Sequence, residues 1–192
     1  MAVGRDIESN RFYVTEELNS MGYGSRSISE LVTRGKLERM KRGLYRPSEM
    51  ESDGLTEACR MVDNGVLCGL SALAYHGLST INPMSYELAI PRNASIPSLP
   101  TSAAIRLRRY ATPAFELGLE TASHMGEAIR IYNRERALCD AFRLKRQIEH
   151  AVAMEALRSY MAGRGRNLPR LIEYAKRLRV YNTIGPYMEA LL

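Results

Sequence analysis

Ser27-Ile28-Ser29-Glu30-Leu31-Val32-Thr33-Arg34-Gly35-Lys36-Leu37-Glu38-Arg39-Met40-Lys41-Arg42-Gly43-Leu44-Tyr45-Arg46 is the stretch whose reading decides the amino-terminal fold. Ser27 and Glu30 stand three apart, the spacing of a capping box, which predicts a helix that begins at Ser27. Ile28, Leu31 and Val32 repeat at i, i+3, i+4, so one face of that helix is buried. Gly35 can supply the left-handed residue that ends it. Residues 37–40 and 44–46 then flank Lys41-Arg42-Gly43, where Gly43 suits the positive-φ position of a short hairpin loop. A short helix running into a cationic hairpin is the layout of a winged helix-turn-helix, whose usual ligand is DNA. A plain α+β domain with solvated charges fits the same pattern.

The first half of the motif lies upstream. Thr15 can cap a helix through Met21, with Glu16 and Glu17 in the first turn, where the helix dipole favours acids. Gly22-Tyr23-Gly24 is a short turn of the kind that joins two helices. An earlier helix near residues 6–13 is expected to add Ile7, Phe12 and Tyr13 to a small core. On the second helix, Ser29, Glu30, Thr33 and Arg34 face outward, with Ser25, Arg26 and the capping Ser27 at its mouth. Between Gly22 and Ser48, Arg26, Arg34, Lys36, Arg39, Lys41, Arg42 and Arg46 stand against Glu30 and Glu38, a local balance of +5 beside +6 for the chain. These residues form the candidate DNA surface.

Length and composition set the bounds. The 192 residues suffice for one or two domains. Hydrophobic residues at 45% and charged residues at 25% are ordinary for a soluble globular protein. No apolar run approaches the ~18 residues of a membrane span; Val66 to Leu78 comes nearest, and Ser71 and His76 interrupt it. No apolar leader is visible at the start, so a cytoplasmic location is expected. Cys59, Cys68 and Cys139 lack zinc-type pairing and read as reduced core residues.

The polar segment 47–54 marks the expected boundary between a winged helix-turn-helix domain at 1–50 and an α+β domain at 51–192. The second region predicts helices near 55–63 and 70–76, strands at 86–90, 105–108, 117–122 and 128–132, and a prolyl loop at 92–102. From Asn133, which can cap a helix to about 146, the chain turns helical and bundle-like. Further helices are expected at 149–162, from Asn167, and after Gly185-Pro186. The overall class is thus α+β.

Catalytic signatures are weak. His76, His124 and His150 are far apart and read as isolated structural or surface residues, no nucleophile elbow occurs, and no metal or cofactor set is recognisable. Glu87 on a strand lacks the lysine two residues on that a nuclease carboxylate needs, since Ala89 stands there. Asp140 among Arg134, Arg136, Arg143 and Lys145 reads as helical ion pairing. A second basic region is clearer: Arg158, Arg164, Arg166, Arg170, Lys176, Arg177 and Arg179 face Glu173 alone. It reads either as a solvated helical face or as a docking surface for an acidic partner.

Four segments carry a resemblance. They are Leu31 to Tyr45; Gly69 to Leu78 followed by Glu87-Leu88-Ala89-Ile90-Pro91-Arg92; Ile129 to Asp140; and Ala153 to Arg158 with Tyr174 to Leu178 and Pro186 to Leu191. In order and spacing the chain resembles the AbiEi-type antitoxins, transcriptional regulators of viral defence systems, over roughly residues 12–192. Asn133 stands where Ser-Pro is common in the family, which leaves the capping role intact. The resemblance implies a nucleotidyltransferase toxin encoded next door as partner. It also implies a winged helix that binds inverted or direct repeats in its own promoter and represses the operon, with a possible homodimer on DNA. The carboxy-terminal domain would carry the antitoxin activity. Arg26, Ser29, Thr33 and Arg34 would then read bases, with Lys41 and Arg42 on the wing. The family brings no catalytic motif, metal or cofactor, and no membrane. Two rival readings stand beside it: a plain transcription regulator whose second domain senses a ligand or dimerises, and an enzyme that modifies its partner.

Overall fold

Two short helices and a hairpin form the amino-terminal unit, as the computed structural model, which describes residues 6–191, places them. Strand β1 (Tyr13–Val14) leads into α1 (Thr15–Ser20), then α2 (Ser25–Thr33), β2 (Leu37–Lys41) and β3 (Leu44–Pro47). The sheet order is β1-β3-β2, and both pairings are antiparallel. Tyr13, Leu18, Ile28 and Leu37 are buried at its centre, with Ile7, Met21, Leu31 and Val32 packed around them. Burial of each such side chain stabilises by roughly 1.5–3 kcal/mol, which is what holds helices this short.

Gly35 ends α2 at φ +68°: its amide donates to Val32 and the Lys36 amide donates to Leu31, the two bonds of a Schellman stop. Gly43 at φ +83° closes the hairpin. The expected capping box does not form. The Ile28 amide already donates to the Gly24 carbonyl at 3.0 Å, so the helix begins two residues early and Ser27 lies inside its first turn. The expected helix at 6–13 is also absent among the described residues. Tyr13 is instead drawn into β1 opposite Tyr45, and its hydroxyl accepts from the Glu8 amide at 2.8 Å.

The same unit takes in α3 (Gly54–Met61), which Asp53 caps by accepting from the Thr56 amide at 2.8 Å. It runs to Asp63 and includes the segments 96–103 and 124–127.

The second unit spans Asn64–Ser95, Ala104–Ser123 and Ala128–Leu192. Strands β4 (Val66–Leu67), β5 (Tyr86–Pro91), β6 (Ile105–Tyr110), β7 (Leu119–His124) and β8 (Glu127–Tyr132) make a mixed sheet in the order β6-β5-β4-β8-β7. β5 runs parallel to β6 and β4 parallel to β8, while β4 and β5 are antiparallel. Helices α4 (Gly69–Tyr75), α5 (Thr112–Glu116), α6 (Arg134–Arg143), α7 (His150–Ala162), α8 (Leu168–Arg177) and α9 (Tyr181–Ala190) complete the chain. Helix α6 is the hub: every residue from Glu135 to Phe142 is buried, and α4, α7, α8 and α9 all pack on it. Asn133 caps α6 as expected, accepting from the Arg136 amide at 3.0 Å, and Asn167 caps α8. The last helix begins at Tyr181 rather than after Pro186, so Gly185-Pro186 lies inside it at the loss of one backbone bond. No helix among the described residues is long and apolar enough to cross a membrane.

Candidate nucleic-acid interface

Helix α2 presents its polar side to solvent. Ser25, Arg26, Ser27, Ser29, Thr33 and Arg34 are all exposed, while Ile28 opposite them is buried. The 3.6-residue period sorts them in this way, because Ile28, Leu31 and Val32 occupy the inward stripe. The hydroxyls of Ser29 and Thr33 fold back onto the carbonyls of Ser25 and Ser29, at 3.0 and 2.9 Å. Their oxygens still have a lone pair free to accept. Arg26 is almost fully exposed and lies 3.6 Å from Glu30, one turn on. Arg34 carries no ion pair among the described residues and sits at the helix end.

The hairpin divides its basic residues in two. Lys36, Arg39 and Arg42 are exposed, and Arg42 stands at the tip. Lys41 is covered and donates to Asp63 at 3.0 Å. Arg46 is more fully occupied still: it pairs across the strands with Glu38 at 2.6 Å, and its other arm meets Ser52 at 2.7 Å and Glu57 at 2.5 Å. Arg46 therefore ties the hairpin to α3. The sequence had no signal for either pairing, since Glu57 and Asp63 lie beyond the hairpin and only folding brings them near.

The second basic region is likewise mixed. All seven cations are exposed. Arg170 reaches Glu135 at 3.7 Å and Glu120 at 3.9 Å, Arg177 pairs with Glu173 at 3.3 Å, and Lys176 lies over the Tyr181 ring at 5.4 Å. Arg166 donates to the Met161 carbonyl. Arg158 and Arg164, on α7 and just after it, and Arg179, at φ +59°, have no ion pair among the described residues.

The groups that could have carried chemistry are held structurally. Glu87 binds Arg108 and accepts from the Leu70 amide at 2.9 Å, so it closes the start of α4. A Cβ at Gly69 would lie 1.8 Å from its Oε2, which explains the glycine there. Asp140 and Arg136 form the expected i, i+4 pair at 3.1 Å, but both are wholly buried rather than on a surface face. Arg136 also donates to the carbonyls of Ala114 and Leu117, and its guanidinium lies 4.0 Å from the Tyr132 ring centre. Burial pushes the Cys59 thiol up to about 12 and the Cys68 and Cys139 thiols well above their usual range, so none is a thiolate near neutrality. His76 donates through Nε2 to the Tyr132 carbonyl at 2.8 Å, and His150 packs against Phe142 and Tyr187.

One basic feature escaped the sequence reading. Arg108 and Arg109 of β6 lie beside Arg143, Lys145 and Arg146, and together they line a cleft. The two groups are separated by more than thirty residues, so no local count could join them.

Residues 15–48, which span α1, α2 and the hairpin, match the family described as transcriptional regulator, AbiEi antitoxin. None of the curated proteins compared matches the chain.

Proposed function

We propose that this chain is an antitoxin that also regulates its own operon. In this reading residues 1–50 act as a winged helix-turn-helix: α2 enters the major groove and the β2–β3 hairpin lies along the backbone beside it. Residues 51–192 neutralise a nucleotidyltransferase toxin encoded alongside, in the cytoplasm, as one arm of an antiviral defence. Promoter repeats would be met by a homodimer.

One observation carries the reading most. The matched segment has a buried stripe and an opposite exposed face of Ser29, Thr33, Arg26 and Arg34, with an exposed arginine at the hairpin tip next along the chain. Guanidinium groups read guanine edges and hydroxyls serve either base edges or phosphates. Lys41 and Arg46, already paired, would contribute to the positive field, with Arg46 as a brace. For the partner surface, Arg158, Arg164 and Arg179 are the leading cations, being exposed and without an ion pair among the described residues.

The test has two arms. Footprinting of the purified protein on the DNA upstream of its reading frame should protect repeated half-sites and nothing else. Co-expression with the adjacent toxin should restore growth, and Arg158→Glu with Arg164→Glu should abolish that rescue while leaving the thermal melt unchanged. Uniform protection of random DNA, or no growth rescue by the wild type, contradicts the reading.

A further inference from the structure

Strand β6 is one of the two edges of the second unit's sheet, and among the described residues it pairs with β5 alone. Its sequence, Ile105-Arg106-Leu107-Arg108-Arg109-Tyr110, is strongly basic for an edge strand. Beside it, the end of α6 and the turn that follows bring Arg143, Lys145 and Arg146. Between these segments lies a cleft of 540 Å³, whose nine lining residues include five cations and no acid.

The cations differ in how they are held. Arg109 donates to the Arg92 carbonyl, which fixes its guanidinium at the rim. Arg143 lies 5.3 Å from the Tyr110 ring centre and 3.6 Å from Asp140. Arg108 is bound to Glu87, yet its Nε is buried with no acceptor. Among the described residues Lys145 and Arg146 enter no ion pair, and both are exposed. Arg109, Lys145 and Arg146 thus line one concavity with no ion pair among the described residues, and like charges held this close gain from a shared anion.

We infer that this cleft binds a small polyphosphate, either inorganic or borne by a nucleotide. The volume falls within the range of small-molecule pockets, roughly 300–1,000 Å³. Arginine forks match phosphate oxygens two at a time; no carboxylate lines the cleft itself, and Glu87 and Asp140 are buried against Arg108 and Arg143. Tyr110 and Leu107 give the cleft an apolar wall. The charges gather in a hollow rather than along a stripe, which favours a compact anion over an extended strand. The inference does not depend on the DNA-binding reading, since it concerns other residues of the other unit.

Calorimetric titration of the full chain with tripolyphosphate and with nucleoside triphosphate, in metal-free buffer, tests it. The wild type should bind at least one probe. Binding of the nucleotide more tightly than tripolyphosphate assigns the site to nucleotides, and equal binding assigns it to the polyphosphate itself. Lys145→Glu with Arg146→Glu should weaken binding roughly tenfold or more, one decade in Kd, with the melt unchanged. Arg146→Ala, a milder change, should act in the same direction if the double variant melts early. Arg26→Ala with Arg34→Ala should leave probe binding intact. Equal affinity in wild type and charge-reversed protein overturns the inference. So does a wild type that binds neither probe, including one whose duplex DNA binding alone falls on charge reversal, since the cleft would then be a nucleic-acid surface.

Discussion

Asp53 shows how much one side chain can settle. It caps α3 through the Thr56 amide and accepts from His124 Nε2 at 2.7 Å. Burial pushes its carboxyl up, but the bonds from His124 and Thr56 outweigh that and hold it below its ordinary value of 3.8. A depressed carboxyl contributes stability that is present above its unfolded value and lost as pH falls through the folded one. Asp53→Ala should therefore cost about 1 kcal/mol in urea unfolding at neutral pH, the usual worth of an N-cap. Asp53→Asn should keep most of the cap and show a smaller loss of stability below pH 3.8 than the wild type. Identical acid-side curves for the two would remove Asp53 from the account. Glu30 is the second informative residue, since its carboxylate competes with DNA phosphates for Arg26. Glu30→Gln should tighten binding to any duplex by roughly two- to fivefold. Unchanged binding in a fluorescence anisotropy titration would place α2 away from the DNA.

At the scale of the element, the hairpin makes the sharper claim. Lys41 is pinned to Asp63, which leaves Arg42 as the tip cation with no ion pair among the described residues. Arg42→Ala should lower the slope of log K against log salt by about 0.9, one phosphate contact, and act alike on specific and random sequences. An unchanged slope would move the tip off the backbone. The elements themselves were legible where periodicity was long or a stop was sharp: α2 with Gly35, α4 with Gly77, α6 with Asn133. The two-residue strands β1 and β4 are too short to show a period, and α5 has only five residues, with Pro113 in its first turn. Ser27 and Glu30 had the spacing of a cap, yet the extended backbone of Gly24 set the start. Gly185-Pro186 looked like a helix start because the burial of Ile184 and Met188, which keeps the helix continuous, is a tertiary fact. The outward face of α2 could be read from spacing alone. The occupied state of Lys41 and Arg46, and the cleft beside β6, could not, because each depends on residues distant in sequence.

For the whole molecule, the proposal separates two tasks between chain regions. The amino-terminal unit offers an exposed basic helix over a small core. The second offers a core built on α6, a buried Arg136–Asp140 pair and exposed cations on α7 and α8. The central claim is that α2 reads the protein's own promoter. Its most direct test is an anisotropy titration of the full-length wild type and of Arg26→Ala with Arg34→Ala. Both proteins would be measured on the promoter repeats and on a scrambled duplex of the same composition, with a circular dichroism melt of each. Both arginines are exposed, so the melts should coincide. The account predicts that the variant loses roughly 1–3 kcal/mol on the repeats and little more than its phosphate share on the scrambled duplex, so that the two affinities converge. Equal discrimination by wild type and variant, with coincident melts, would contradict it.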